Sequence, residues 1–307
     1  MIDRDGSVRR YRVAHRTTYC YSDEVASSYG RAYLTPREFP GQKLISHDIS
    51  IDPAPSDQSI GPDVYGNNTS YFHVTAPHRT LVVTGDSLVE VEHRDHAADG
   101  PAGRPWELAR PTGATGPLAV EFTLDLYPPE ITSEVRAYAA ESLTPGRPLL
   151  DAVAELTSRI HADFTYQSGS TTVSTKVADV FAARAGVCQD FARTALACLR
   201  SHGLAGRYVS GYLATDPPPG RDRMIGADAT HAWAAVWVPG TDEHDRTGHW
   251  IDLDPTNNQF GDERYVTVAW GRDYADVPPL RGIIYTDAKH STITVSVDVS
   301  PVQSRPA

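Results

Sequence analysis

The chain has few cysteines, few lysines and no long apolar run, and each shortage excludes a class of protein. Its three cysteines, Cys20, Cys188 and Cys198, lack the spacing of a disulfide framework, which favours a reducing compartment. Only three of its 28 basic residues are lysine, and 39 acidic residues give a net charge of −11, which argues against nucleic acid or an anionic membrane as a partner. No segment approaches the roughly 18 apolar residues that cross a bilayer, and no secretory signal is visible. We therefore expect a cytoplasmic protein.

The N-terminal region carries the pattern of an antiparallel β-domain. Every second residue from Tyr11 to Tyr21 faces one side of a predicted strand, and further β-rich runs follow between Pro, Gly and Asn turns. A Gly-, Pro- and Ala-rich stretch, residues 96–117, is predicted to be a linker. We therefore assign residues 1–95 to a β-rich N-terminal domain.

Residues 118–307 change from a helical to a strand pattern. Leu149, Val153, Leu156 and Ile160 recur at helical spacing, whereas the segments after residue 205 alternate with a period of two. Helices followed by a run of strands predict an α+β fold in which the helices pack on an antiparallel sheet. We assign residues 118–307, including the C-terminal strands, to this second unit.

Cys188 lies where a helix is predicted to begin. Gly186 permits a turn before it, and Gly203 is suited to end the helix in the left-handed conformation. In the first turn, unpaired N–H groups and the helix dipole stabilise a thiolate, the reactive form of cysteine, and can hold an oxyanion. From this segment alone, a buried and unreactive thiol is the alternative. Cys198, among Leu and Ala residues of the same helix, is predicted to be a core thiol.

Two later strands carry candidate partners for Cys188. His231 opens a strand whose alternate residues include Trp233, and histidine is the usual base that activates a cysteine. A satisfied core histidine is the alternative. The next strand presents Asp252 and Asp254 on one face, and either carboxylate could orient the imidazole ring. Periodicity does not choose between the two aspartates.

Four motifs, in chain order, resemble the transglutaminase-like core of the papain-like thiol superfamily: GVCQDFA, RYVSGYL, HAWAAVWVPG and HWIDLDPTNN. The segments HRTTYCYSDEVASSYGRAYLTPRE and DVYGNNTSYFHV resemble the β-rich N-terminal region of a bacterial subfamily, so the resemblance covers nearly the whole chain. It implies an N-terminal antiparallel β-domain followed by a papain-like core. It also implies that Cys188 is the nucleophile, His231 the general base and acid, and Asp254 the orienting carboxylate.

The resemblance implies acyl transfer through a thioester, with no metal and no cofactor. Hydrolysis of an amide or peptide bond is the first expectation; amine transfer or deamidation of glutamine is the alternative, and a non-catalytic binding scaffold is the other class. The substrate would be a peptide or protein amide, or a peptide-like metabolite, because relatives tend to be encoded beside ATP-grasp-type ligases. Zinc binding by the three triad residues is not expected, since no CxxC or HExxH pattern is present. The sequence does not specify an oligomeric state.

Further residues are predicted beside the triad. Tyr166 resembles the aromatic position before the family's threonine-rich loop and is predicted to lie on the substrate side. Four others are predicted to support the site: Gln189, Asp190, Trp233 and Trp250. For Asp190, attraction to the helix dipole is a sufficient structural explanation. Relatives often carry Glu four residues after the histidine, where this chain has Ala235, so the family's substrate preference transfers less directly.

Overall fold

The computed structural model describes residues 8–96, 99–126, 128–215, 230–241 and 247–302. The helices are α1 (Ser133–Ser142), α2 (Leu149–Asp163), α3 (Val177–Ala183) and α4 (Cys188–Ser201). The strands are β1 (Val8–Ala32), β2 (Gln42–Asp52), β3 (Asp57–Pro62), β4 (Asn68–Val74), β5 (His78–Glu92), β6 (Thr165–Tyr166), β7 (Ala185–Gly186), β8 (Gly206–Leu213), β9 (Thr230–Val238), β10 (His249–Asp254), β11 (Gln259–Phe260), β12 (Tyr265–Gly271), β13 (Leu280–Thr286) and β14 (Ser291–Pro301). None of the helices in the described ranges is both long and apolar enough to cross a membrane.

The 25-residue strand β1 organises the first sheet, which has seven antiparallel strands. Strands β5 and β14 flank its first half, while β4 and β13 flank its second half; β2 pairs with β5, and β3 pairs with β4. The predicted alternation holds, because Tyr11, Val13, His15 and Thr17 are buried. The N-terminal antiparallel sheet is therefore confirmed.

The C-terminal strands differ from their predicted place. We assigned them to the second unit with residues 118–307, whereas β13 and β14 hydrogen-bond to β1, with Ile283 opposite Tyr29 and Val299 opposite Val13. Val297 and Val299 are fully buried, so packing of these strands on the N-terminal sheet buries apolar surface that local periodicity does not locate. The first sheet is thus built from both ends of the chain.

The predicted linker is packed rather than free along its described part, residues 99–117. It forms short 3₁₀ turns at Pro101–Gly103 and Trp106–Ala109. Ala102 and Trp106 are buried in the main hydrophobic core, and the Trp106 indole N–H donates to the Thr144 carbonyl. This segment therefore joins the two units through buried contacts.

The second sheet has the strand order β11-β10-β9-β8-β12 and carries helix α4 against one face. Every α4 residue from Asp190 to Ser201 is buried, and Cys198 is completely so. In β9, Ala232, Ala234 and Val236 belong to the core that contains α4, whereas Trp233 and Ala235 pack on the opposite face, as the alternation predicts. Antiparallel pairing of β9 with β10 sets the C-terminal end of β10 beside the start of β9.

Candidate active site

Cys188 is the first residue of α4, and it is half-buried. The preceding residue, Val187, is extended, so the chain enters the helix abruptly from β7. The first N–H groups of a helix have no intrahelical carbonyl to bond, and they surround the Cys188 side chain with positive potential. The helix ends as predicted, with Gly203 at φ +77° just beyond its last turn. Cys188 therefore occupies the helix start that the sequence indicated.

His231, the second residue of β9, is hydrogen-bonded to Asp254 through its ring. Its Nε2 donates to Oδ2 of Asp254 at 2.7 Å, and the Cys188 side chain is near enough to raise the pKa of the imidazole. The indole of Trp233 lies 5.9 Å from the imidazole centroid, and Gly211 of β8 is directly opposite His231. Because Trp233 fills one side, the ring is held between the thiol and the carboxylate.

The Asp254 carboxylate is fully buried and accepts five hydrogen bonds. Its Oδ2 accepts from His231, from the Asn257 amide at 2.7 Å and from the Tyr265 hydroxyl at 2.6 Å. Its Oδ1 accepts from the backbone N–H groups of Thr256 at 2.9 Å and Asn257 at 3.2 Å. A buried carboxylate stays ionised when such donors replace water, so this aspartate is a fixed negative charge.

The electrostatics of the pair follow from these contacts. Burial raises the pKa of Asp254, but hydrogen bonds from His231, Asn257 and Tyr265 outweigh it and lower the pKa overall. Burial lowers the pKa of His231, but the hydrogen bonds to Asp254 and Cys188 outweigh it and raise the pKa to about 9. The imidazole is therefore protonated at neutral pH, with a carboxylate on one side and a thiol on the other.

The structure brings Asp254, and not Asp252, to His231. Asp252 lies opposite Ala235 in β9, and Ala235 lies opposite Arg207 in β8, so the three form a row across one face of the sheet. The pKa of Arg207 is lowered to about 9 by its burial, against the opposing charge of Asp252. Arg207 also lies 4.6 Å from the ring of Trp250. Asp252 is thus a counter-charge within the sheet.

The predicted supporting residues divide into two groups. Tyr166 is 56% exposed, its pKa is raised by burial of part of the phenol and by the charge of Cys188, and its ring meets that of Phe191 at 6.3 Å. Gln189 follows Cys188 in the first turn and is half-buried. Trp233 packs against His231. Trp250, by contrast, packs on Phe122 and Arg207, so the structure does not bring it to the triad.

Asp190 connects the helix start to the neighbouring loop. Its Oδ2 accepts a hydrogen bond from the Thr171 hydroxyl at 2.6 Å and from the Val187 N–H at 2.9 Å, and the residue is 1% exposed. A side chain at position 186 would collide with Asp190, since an added Cβ would lie 2.8 Å from the Asp190 Cβ. Gly186 is therefore required by packing against Asp190.

Three residues of the site were not singled out from the sequence. Asn257 follows Asp254 by three positions, and its place in the DPTNN turn was an available signal. Tyr265 reaches Asp254 from β12, which pairs with β8, so only the sheet order reveals it. Tyr208 is fully buried near Cys188, and burial together with the charge of Cys188 raises its pKa well above the usual value. Among the described residues, no cluster of three or more His, Cys, Asp or Glu side chains is arranged to hold a metal ion.

Comparison with known families identifies the class of protein. The profile of the bacterial transglutaminase-like N-terminal region matches residues 11–90, and that of the transglutaminase-like superfamily matches residues 136–255. An uncharacterized protein of Mycobacterium tuberculosis is 62% identical over 96% of this chain and 93% of its own length. A Mycobacterium leprae protein is 32% identical over 95% of this chain and 98% of its own length. The chain therefore belongs to the transglutaminase-like superfamily, in the bacterial group that carries this N-terminal region.

A solved structure shares the whole architecture. The crystal structure of a protein from Cytophaga hutchinsonii, named as a candidate cysteine protease, has a TM-score of 0.73 and 17% identity, covering 98% of this chain and 93% of that one. At this identity the likeness shows the fold, and it confirms the predicted α+β arrangement of an N-terminal sheet followed by a transglutaminase-like core.

Proposed function

We propose that the chain is a cysteine-dependent hydrolase of amide or peptide bonds that uses Cys188, His231 and Asp254 as a catalytic triad. The observation that carries the proposal is the hydrogen bond from His231 to the buried Asp254, beside a cysteine at the start of a helix whose charge raises the pKa of that histidine. Membership of the transglutaminase-like superfamily supports a papain-like thiol enzyme in general. The name of the Cytophaga hutchinsonii neighbour supports a protein or peptide substrate.

The chemistry follows from the charges at the helix start. A protonated His231 and the first-turn N–H groups favour the thiolate of Cys188, which attacks the carbonyl carbon of the substrate. The first-turn amides stabilise the oxyanion, and His231 gives its proton to the leaving amine, which leaves an acyl group as a thioester on Cys188. Water then attacks the thioester while His231 takes its proton; a carboxylic acid departs and the thiolate is restored. Asp254 holds the ring orientation and charge throughout.

Selective alkylation tests whether Cys188 is a nucleophile. At pH 6 to 7, iodoacetamide should label Cys188 far faster than Cys20 or Cys198, because only Cys188 has a helix start and His231 beside it. The matched comparison is His231→Gln, which should slow the labelling of Cys188 and leave the exposed Cys20 unchanged. Equally slow labelling of all three thiols in the wild-type chain contradicts an enzyme and favours a binding scaffold.

Product masses distinguish the possible acyl acceptors. A peptide library is incubated with the wild-type chain or with Cys188→Ala, with and without a small primary amine, and analysed by mass spectrometry. We expect cleaved peptides that depend on Cys188. Deamidated glutamine or an amine adduct without cleavage would contradict hydrolysis of the peptide bond and support the alternative, transfer or deamidation by the same thioester. A cytoplasmic location and a peptide-like metabolite as substrate stay predictions.

A further inference from the structure

Strand β13 forms an exposed edge of the first sheet. It pairs with the second half of β1, and no other strand in the described part of the chain pairs with it. Its apolar side chains are exposed on both faces: Ile283 is 67% exposed, Ile284 37% and Tyr285 60%. An edge with open N–H and C=O groups and apolar side chains is a template for pairing with another strand.

Strands β2 and β3, on the opposite side of this sheet, carry features that discourage such pairing. Strand β2 has Lys43 and a bulge that follows Leu44, and β3 ends with Pro62. Lysines, bulges and prolines at edges keep sheets from associating. The centre of β13, residues 282–286, contains neither a charged residue nor a proline. The chain therefore leaves the edge at β13 open, whereas β14, which continues this edge and in the described chain also pairs only with β1, carries Asp298 and Pro301.

We propose that β13 pairs antiparallel with β13 of a second copy of this chain, so that one sheet continues across a symmetric dimer. In a continuous antiparallel sheet, directly opposite residues point to the same face. The two-fold axis must therefore place one residue of β13 directly opposite the same residue of the other copy. An axis at Ile284 places Ile283 opposite Tyr285 of the other copy. It also places Arg281 opposite Asp287 of the other copy, twice by symmetry.

Charge complementarity selects this partner and this register. Arg281 is the second residue of β13 and Asp287 directly follows its last residue; both are exposed and carry opposite charges. Opposite charges in directly paired positions stabilise a sheet, and like charges destabilise it. An axis at Ile283 would instead place Asp287 opposite Pro279 and lose both ion pairs. A second copy is thus complementary to β13 although each chain has a net charge of −11.

The neighbouring surface extends the proposed contact. Ile283 is directly opposite Tyr29 of β1, and Tyr29 is opposite His73 of β4, so these side chains share the face that carries Tyr285. The Tyr29 ring stacks on His73 at 4.0 Å and meets the ring of Tyr285 at 6.3 Å. Tyr71 lies 6.5 Å from Tyr29 on the same face. The dimer would join two such aromatic surfaces, which are typical of protein interfaces.

Light scattering coupled to gel filtration tests the dimer on the full chain. We expect a mass twice the 33.5 kDa of one chain for the wild type. Arg281→Asp and Asp287→Arg should each give monomers, because each change opposes like charges at both ends of the pairing. A mass of one chain for the wild type at about 100 µM would overturn the proposal, since the dimer would then be held by less than about 5.5 kcal/mol.

Charge exchange separates this register from a general loss of folding. An equimolar mixture of Arg281→Asp and Asp287→Arg should form a heterodimer, because each variant then offers the charge that the other lacks. The double variant should likewise recover the dimer. Arg104→Asp, a charge reversal at an exposed residue outside β13, should stay dimeric. Single variants that remain dimeric, or a mixture that remains monomeric, would contradict pairing of β13 about Ile284.

Discussion

A carboxylate removed from water needs hydrogen-bond donors, and Asp254 has them from a strand, a turn and a neighbouring strand. Its five accepted hydrogen bonds include those from Tyr265 and Asn257, which leave His231 one orientation to adopt. Hydrogen bonds to a charged group contribute about 1.5 to 3 kcal/mol each. The residue is therefore rigid as well as charged, which is what positioning a histidine ring requires.

Replacing Asp254 by Asn tests this role at the level of one atom. The variant should lower turnover by about 10³-fold or more, because an amide does not hold the imidazolium and its tautomer as a carboxylate does. It should also lower the pKa of His231 from about 9 towards its usual 6.5, since the hydrogen bond and charge of Asp254 raise it. The alkaline limb of the kcat/KM profile should then move to lower pH.

Asp252→Asn is the matched control for that measurement. Asp252 lies in the row with Ala235 and Arg207, away from His231, so its replacement should affect turnover far less and leave the alkaline limb in place. A larger loss with Asp252→Asn than with Asp254→Asn would show that the strand register is wrong.

Individual residues differ in how far the sequence predicts them. The local sequence pattern made Cys188 and His231 candidate catalytic residues, because a helix start and the alternation of a strand can both be recognised from neighbouring residues. It left Asp252 and Asp254 open, because both project from the same strand face and only the register of β10 against β9 separates them. Tyr265 was missed, because its contact with Asp254 depends on how β12 is placed in the sheet.

At the scale of elements, side-chain hydrogen bonds join α4 to the loop of residues 167–176, one of them from Arg193 to the Thr175 carbonyl and another at the start of the helix. The Thr171 hydroxyl donates to the buried Asp190, two residues beyond Cys188, and the loop begins immediately after Tyr166. Removing a donor from a buried carboxylate costs about 1 to 3 kcal/mol. The loop that follows the exposed Tyr166 is therefore held against the helix that carries the thiol.

Thr171→Val should disturb substrate binding more than chemistry. The variant keeps the shape of the side chain but removes the donor, so the loop beside Tyr166 loosens while Cys188 and His231 keep their contacts. We expect KM to rise several-fold with a small change in kcat, measured on a peptide that the wild-type chain cleaves. Thr171→Ser retains the hydroxyl and should behave like the wild type. Equal effects of Val and Ser would show that the hydrogen bond has no positioning role.

Features of helices and strands that depend on neighbouring residues were predicted correctly. Pairings between segments that are far apart in the chain were missed. The alternation in β9 assigned its two faces correctly, because burial on each side is encoded every second residue. The place of β13 and β14 was not predicted, because their partner in β1 lies at the other end of the chain. The Gly- and Pro-rich composition predicted a linker, but the burial of one large apolar residue, Trp106, anchors this segment.

At the scale of the whole molecule, the two sheets meet through a buried histidine. His15 of β1 is 1% exposed, and its Nδ1 lies 3.0 Å from the Tyr212 hydroxyl of β8. Its Nε2 lies 2.9 Å from the Thr17 hydroxyl. Burial lowers the pKa of His15 to about 4, so the residue is neutral in the folded protein at physiological pH. The contact between the units therefore contains a group that resists protonation.

The free energy of unfolding should fall as the pH drops from about 6.5 to about 4. Within that window the unfolded chain, whose His15 has a pKa of 6.5, binds more protons than the folded one. The loss attributable to His15 is on the order of 3 kcal/mol, complete below the folded pKa. Denaturant titrations across this pH range measure it, and His15→Gln, which does not titrate, should flatten the slope. An unchanged slope in the variant would assign the pH dependence to other groups.

The long strand β1 has a consequence for synthesis of the protein. Residue 301 lies opposite residue 11, so during synthesis β1 receives one of its neighbours only after all the segments between them have been made. Pairings between such distant segments form slowly, because the entropy of closing the loop precedes any gain from contacts. Until then one side of β1 is unpaired, and free strand edges of this kind make incompletely folded chains prone to wrong pairing.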